Sequence, residues 1–224
     1  TSVKKWIFSV ALLISLDIQD LKFQKMISHP HEVVPGRFSP NEAQYLTPEA
    51  VQAGYLSVKG MKIDGFSGES LKKLNTAFTL LEKVVNSNEF KDRVINFKNQ
   101  SGLREFSSNK GLTNEEIYQI FMEGRETLQP NTPGEMNYYL KLYYNPFSRV
   151  IGYTNGDTNL ININWRFFKN YQPSDVAANL AHEWVHKIGF DHASAKEHDS
   201  APYAIGYIVG DMAERILKSN QLIH

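Results

Sequence analysis

The sequence predicts an α+β fold, a mixed twisted sheet carrying helices, on three observations. Several stretches repeat apolar residues at the helical period, three others are short and β-prone, and the breaks between them hold residues that stop helices or make turns. With 224 residues, 42 % of them hydrophobic and 12 % aromatic, the chain has the length and apolar content to bury one core.

Lys4 and Lys5 precede an apolar run over residues 6–16, broken only by serines and followed by Asp17, Gln19 and Asp20. A charged start and a run of this length match an export signal, and the run is too short to span a bilayer, which takes ~20 helical residues. No A-x-A-like cleavage site follows. Residues 1–20 therefore read either as a signal or anchor-like segment or as a buried strand or helix. The first reading implies a secreted, periplasmic or cell-envelope protein.

Residues 21–65 read as a loop-rich N-terminal extension, because residues 28–48 hold four prolines and a glycine. They can equally be a pro-segment or part of the fold. A turn is expected at Asp64-Gly65. From residue 69 to 87 a helix is expected, with Leu71, Leu74, Ala77, Phe78, Leu81, Val84 and Val85 on one face. Residues 93–97 read as a short strand. Thr113, with Glu116 three residues on, is a capping-box pattern that opens a helix to about Leu128.

The period then changes. Residues 137–144, 149–153 and 159–164 are β-prone and separated by Asn-Pro and Asn-Gly-Asp turn signals. Ser174, after Pro173, is expected to cap a helix with Asp175 in its first turn, where a negative charge favours the helix dipole. That helix should run to about Ile188 and stop at Gly189. A last helix is expected within residues 203–218. Residues 66–224 form the expected folded domain.

Charge excludes some partners. Twenty-four basic residues balance 24 acidic ones, so no basic field suited to nucleic acid is expected. The chain has no cysteine, which removes thiolate metal sites and cysteine nucleophiles. No stable membrane span is expected, and nothing in the sequence bears on oligomeric state.

Chemistry concentrates in the Ser174 helix, which contains His182-Glu183-Trp184-Val185-His186. Residues four apart lie one turn apart on the same helix face, so both imidazoles can converge on one ion. Leu180, Ala181, Trp184, Val185 and Ile188 point mainly away and supply an apolar side. Glu183 projects beside the pair, within reach of a water on the ion. Catalytic zinc takes three protein ligands and keeps one position open. Gly189 can break the helix in a left-handed conformation and bring the chain back so that His192 supplies the third imidazole. Average residue usage puts a chance H-E-x-x-H at about one in 100, and the extended form at on the order of one in 10⁴–10⁵. The extended form is therefore specific.

The segment His182 to His192 reads H-E-x-x-H-x-x-G-x-x-H without mismatch, and here the chain resembles the metzincin clan of zinc peptidases. The resemblance covers about 20 residues and a compatible order of upstream elements. It implies a zincin-like domain with a mixed twisted sheet, an active-site helix and a small C-terminal subdomain. It implies Zn²⁺ held by His182, His186 and His192, with Glu183 as general base of peptide hydrolysis. It also implies a peptide or protein substrate lying extended on a sheet edge, for which residues 149–154 are the candidate. The clan's methionine turn is not found, since Met212, the only later methionine, falls in an expected helix. Ile205 then stands where the methionine would be and Tyr207 where some relatives place a tyrosine that helps stabilise the transition state. Tyr203 and Tyr207 are both candidate catalytic residues; alternatively, four apart, they are one face of a helix.

Other readings stay open. Asp191, Glu197 or Asp199 can supply a carboxylate third ligand, as in zinc peptidases of another clan. A non-catalytic zincin-like binding module is a further alternative. His29, His31 and His224 have no partner at ligand spacing.

Overall fold

A computed structural model describes residues 54–127, 132–148, 151–154, 159–192 and 197–221. The expectations for residues 1–53, and for His29, His31 and His224, lie outside these residues. The described chain is mixed α/β. In order it forms β1 (Ser57–Asp64), α1 (Gly68–Val85), α2 (Asn88–Ile95), α3 (Asn114–Glu123), β2 (Glu135–Tyr143), β3 (Gly152–Thr154), β4 (Leu160–Asn164), α4 (Trp165–Phe168), α5 (Pro173–Lys187) and α6 (Ala201–Gln221). No helix among the described residues is long and apolar enough to cross a membrane.

The sheet order is β1-β2-β4-β3, with β1, β2 and β4 parallel and β3 antiparallel to β4 at the edge. Part of the stretch proposed as a substrate edge, Gly152–Thr154, is thus an edge strand. β1 falls inside residues 21–65, expected as a loop-rich extension or as part of the fold. It pairs with β2 from Ser57↔Glu135 to Asp64↔Lys141, so the sheet begins earlier than expected. Its apolar alternation is broken by Gly60 and by a register shift between Gly60 and Lys62, which hid the strand signal. The turn after it is as expected, with Gly65 at φ 81°.

α1 buries Leu74, Ala77, Phe78, Leu81, Val84 and Val85, six of the seven residues on its expected apolar face. Residues 93–97 correct the expectation of a strand. They close α2, where Ser87 Oγ accepts the Phe90 N–H and Phe90 and Val94, four apart, are buried on one face. The β-branched pair Val94-Ile95 gave a local strand signal, and burial of a helical stripe overrode it. α3 has the expected Thr113–Glu116 capping box but ends at Glu123 rather than near Leu128. Gly124, at φ 65°, takes the left-handed cap position.

At α5 the cap moves by two residues. Gln172 occupies it, Pro173 follows at N1, and Ser174 is buried in the first turn. Asp175 Oδ2 accepts the Gln172 N–H at 2.8 Å, closing the turn that Ser174 was expected to close. The far end is as expected, with Lys187 the last helical residue and Gly189 at φ 98°. C-terminal to the site, where a small subdomain was expected, stands one 21-residue helix, α6, sharing the core with α5.

The core ties these elements together. Tyr138 of β2 stacks on Phe78 of α1 with ring centroids 5.6 Å apart and meets Trp184 of α5 at 6.1 Å. Its hydroxyl donates to the Leu180 carbonyl at 2.8 Å, pinning α5 to the sheet. α6 crosses α5 closely because Gly206 and Gly210 lack side chains. A Cβ on Gly206 would stand 3.1 Å from the Ala178 oxygen and 3.3 Å from His182 Cβ. That contact brings the first turns of α6 beside the histidine-bearing turn of α5.

Candidate metal centre

The ligand atoms of His182, His186 and His192 all lie within 4.8 Å of one another. His182 and His186 come from successive turns of α5, as the four-residue spacing requires. Their Nε2 atoms are 3.1 Å apart. His192 arrives through the Gly189 turn, where the Phe190 N–H donates to Val185 O at 3.1 Å and directs the chain back.

Hydrogen bonds set the tautomer of His186. Its Nδ1–H donates to the Phe190 carbonyl at 2.8 Å, and Asp191 Oδ1 lies 3.2 Å away. Both partners accept, so Nδ1 carries the proton and Nε2 offers a lone pair to the cluster. This is the outer support that orients an imidazole on a metal. Burial acts to lower the His186 pKa, but the Asp191 hydrogen bond, the Glu183 charge and the Phe190 carbonyl outweigh it, and the net shift is upward. Burial holds His182 well below the ordinary histidine value, and the nearby His186 and His192 charges lower it further. Burial and the His186 charge also lower His192. The downward shifts at His182 and His192 favour neutral imidazoles, the form that binds a metal.

The arrangement fits a metal ion. Both ring nitrogens of His192 are buried without a hydrogen-bond partner, and a cation on one of them would relieve that nitrogen's share of the cost. Two nitrogens on a tetrahedral zinc with bonds of about 2.0–2.1 Å stand ~3.3 Å apart, close to the Nε2 separation here. The three histidines can therefore hold a metal ion.

The candidate carboxylate ligands Asp191, Glu197 and Asp199 have other partners. Asp199 Oδ2 accepts the Gln100 N–H at 2.8 Å, Glu197 accepts from the Ser108 hydroxyl, and Asp191 supports His186. Glu183 is 4 % exposed, on the turn between His182 and His186, and its charge acts on both His186 and Tyr138.

Both tyrosines lie on one side of α6 near the cluster. The Tyr203 ring is 4.7 Å from that of His182 and 4.6 Å from that of His192. Tyr207 lies one turn on, stacked on Tyr203 at 6.1 Å, with its hydroxyl 3.2 Å from His198 Nδ1. Ile205, assigned the place of the missing methionine, is fully buried. Tyr203 is the residue shown against the imidazoles. His198, for which spacing predicts no role, joins this group with its ring 5.8 Å from Tyr203. Its pairing depends on the path between residue 198 and α6, for which no local periodicity gives a signal. His198 and Tyr207 also line a cleft of about 780 Å³, with Arg93, Phe97 and Asp211 on its other walls.

Compared with protein-family models, curated proteins and solved structures, the chain matches none.

Proposed function

We propose that the chain is a zinc-dependent endopeptidase with a zincin-like active site. The observation that carries this reading is the convergence of three imidazoles from the H-E-x-x-H-x-x-G-x-x-H segment, one of them with ring nitrogens buried without a hydrogen-bond partner, beside a buried glutamate. His182, His186 and His192 hold the ion. Bound there, zinc would supply a Lewis acid and lower the pKa of water towards ~7.

Glu183 takes the proton of the attacking water on its carboxylate and passes it to the leaving amine. The Phe190 carbonyl and Asp191 keep His186 Nδ1 protonated, so its Nε2 stays directed at the ion. The hydroxyl of Tyr203 or Tyr207 stabilises the developing oxyanion. The edge strand β3 offers its outer backbone groups to an extended peptide, which pairs as an added strand.

The test is zinc content per purified chain for wild type, His192→Ala and Glu183→Gln, together with hydrolysis of a peptide library. The expected result is near one zinc in wild type, clear loss in His192→Ala, and zinc retained in Glu183→Gln with hydrolysis ~10²–10⁴-fold slower. Full activity in Glu183→Gln would sink the base assignment. Zinc fully retained by His192→Ala would sink the three-histidine site.

A further inference from the structure

We propose that Glu126 and Lys187 are positioning residues, a buried latch that holds the exit of α5 so that His192 reaches the other two histidines. Lys187 ends α5, directly after His186, yet its side chain is 1 % exposed. Its Nζ lies 2.9 Å from Glu126 Oε1, and the Glu126 side chain is also 1 % exposed. The same ammonium donates to the Asn137 carbonyl on β2 and sits over the rings of Tyr138, Tyr139 and Trp184 at 5.4–5.7 Å. One cation thus ties two separate segments, the one that carries Glu126 and strand β2, to the end of the histidine-bearing helix.

The next residue tightens the hold. Thr127 N–H and Thr127 Oγ1–H both donate to the Lys187 carbonyl, at 2.9 and 3.0 Å. Thr127 Cγ2 also stands 3.1 Å from where a Cβ on Gly189 would be, so it flanks the turn itself. From the other side Lys110 Nζ donates to the Gly189 carbonyl. Only Phe190 and Asp191 separate this clamped turn from His192.

Energetics favour a positioning role over a stabilising one. Burying both charges forfeits the hydration of each, and well-packed apolar replacements of such pairs commonly leave stability unchanged or raised. What the pair does supply is a single geometry, because an ammonium with a carboxylate and a carbonyl as partners has few alternatives in an aromatic enclosure. The requirement for one geometry is strict at a metal ligand, where supporting contacts decide affinity.

The inference rests on the metal-site reading only for the use made of His192, so the test has a readout without metal. The variant is the double substitution Glu126→Gln/Lys187→Met, which removes both charges and leaves neither unpaired. Nuclear Overhauser contacts from the Tyr203 ring to His182 and to His192 are compared in the metal-free protein, and cobalt(II) and zinc affinities are measured by chelator competition. Expected are a wild-type or higher melting temperature, a retained Tyr203–His182 contact, a weakened Tyr203–His192 contact, and metal binding ~10–100-fold weaker. Thr127→Val, which removes one hydroxyl bond, should move both readouts in the same direction by less and serves if the double variant does not fold. Unchanged His192 contacts and affinity in the folded variants overturn the latch. A wild-type protein that binds no metal would overturn the peptidase reading, leaving the Tyr203–His192 contact to decide the latch.

Discussion

Gly189→Ala is the sharpest test of how the third histidine is delivered. Gly189 sits at φ 98°, a backbone conformation open to glycine and costly for a residue with a Cβ. An L-residue with positive φ loses roughly 1–2 kcal/mol to the clash between Cβ and its own backbone. The added methyl also meets Thr127 Cγ2 at 3.1 Å, closer than ordinary van der Waals contact, so the threonine must give by a few tenths of an ångström. The chain can escape both costs by rotating the turn, and the rotation carries His192 away from His182 and His186. The free energy needed to hold the turn is then drawn from metal binding. A cost of 1–2 kcal/mol corresponds to an affinity ~5–30-fold weaker. The assay is competition of zinc against a chromophoric chelator, beside thermal denaturation of the metal-free protein. Gly189→Asn is the companion variant, because asparagine tolerates positive φ better and should recover part of the loss. Wild-type affinity and stability in Gly189→Ala would refute the reasoning, since it would show that the exit reaches the same place with negative φ.

Two further predictions concern the scaffold. Trp184 lies inside the motif but is fully buried against Tyr138, so Trp184→Ala should cost ~3–5 kcal/mol and lower the melting temperature by roughly 6–20 °C. A drop of under ~2 °C in a calorimetric scan would show that the turn carrying the histidines is not anchored through this ring. The hydrogen bond from Arg93 to the Asp211 carboxylate holds its pKa below the ordinary value against a smaller opposing effect of burial, and the charges of Arg93 and Arg215 add to it. Because the folded pKa is the lower one, the unfolded chain binds more protons between the two values. The contribution is present above the unfolded pKa and lost as pH falls through the folded one. The stability difference between wild type and Asp211→Asn in urea should therefore be small, as expected for an exposed pair, and should shrink from pH 7 to pH 3. A difference that widened on acidification would contradict the assignment.

Much of the site was legible because its determinants are local. The four-residue spacing of His182 and His186 acts within one helical turn, and Gly189 terminates that turn through its own backbone. The same holds for the Thr113–Glu116 capping box and for the apolar stripe of α1. Where local signals are weak or opposed, distant packing decides the structure. Val94 and Ile95 favour a strand by propensity, but Phe90 and Val94 bury more as a helical stripe. β1 has an interrupted alternation and exists as a strand because β2, almost eighty residues away, pairs with it.

The sequence by itself determined the histidines on α5, the glutamate between them and the break that follows. Each of these depends on contacts within a few residues, whose geometry is the same in any fold. Only the tertiary structure decided that Tyr203 lies against His182 and His192, that His198 meets Tyr207, and that a buried Glu126–Lys187 pair grips the exit of the helix. Those pairings join segments far apart in the chain, or separated by a path that no repeat describes. Their distances are set by how helices and strands close around one core, and spacing along the sequence does not encode them.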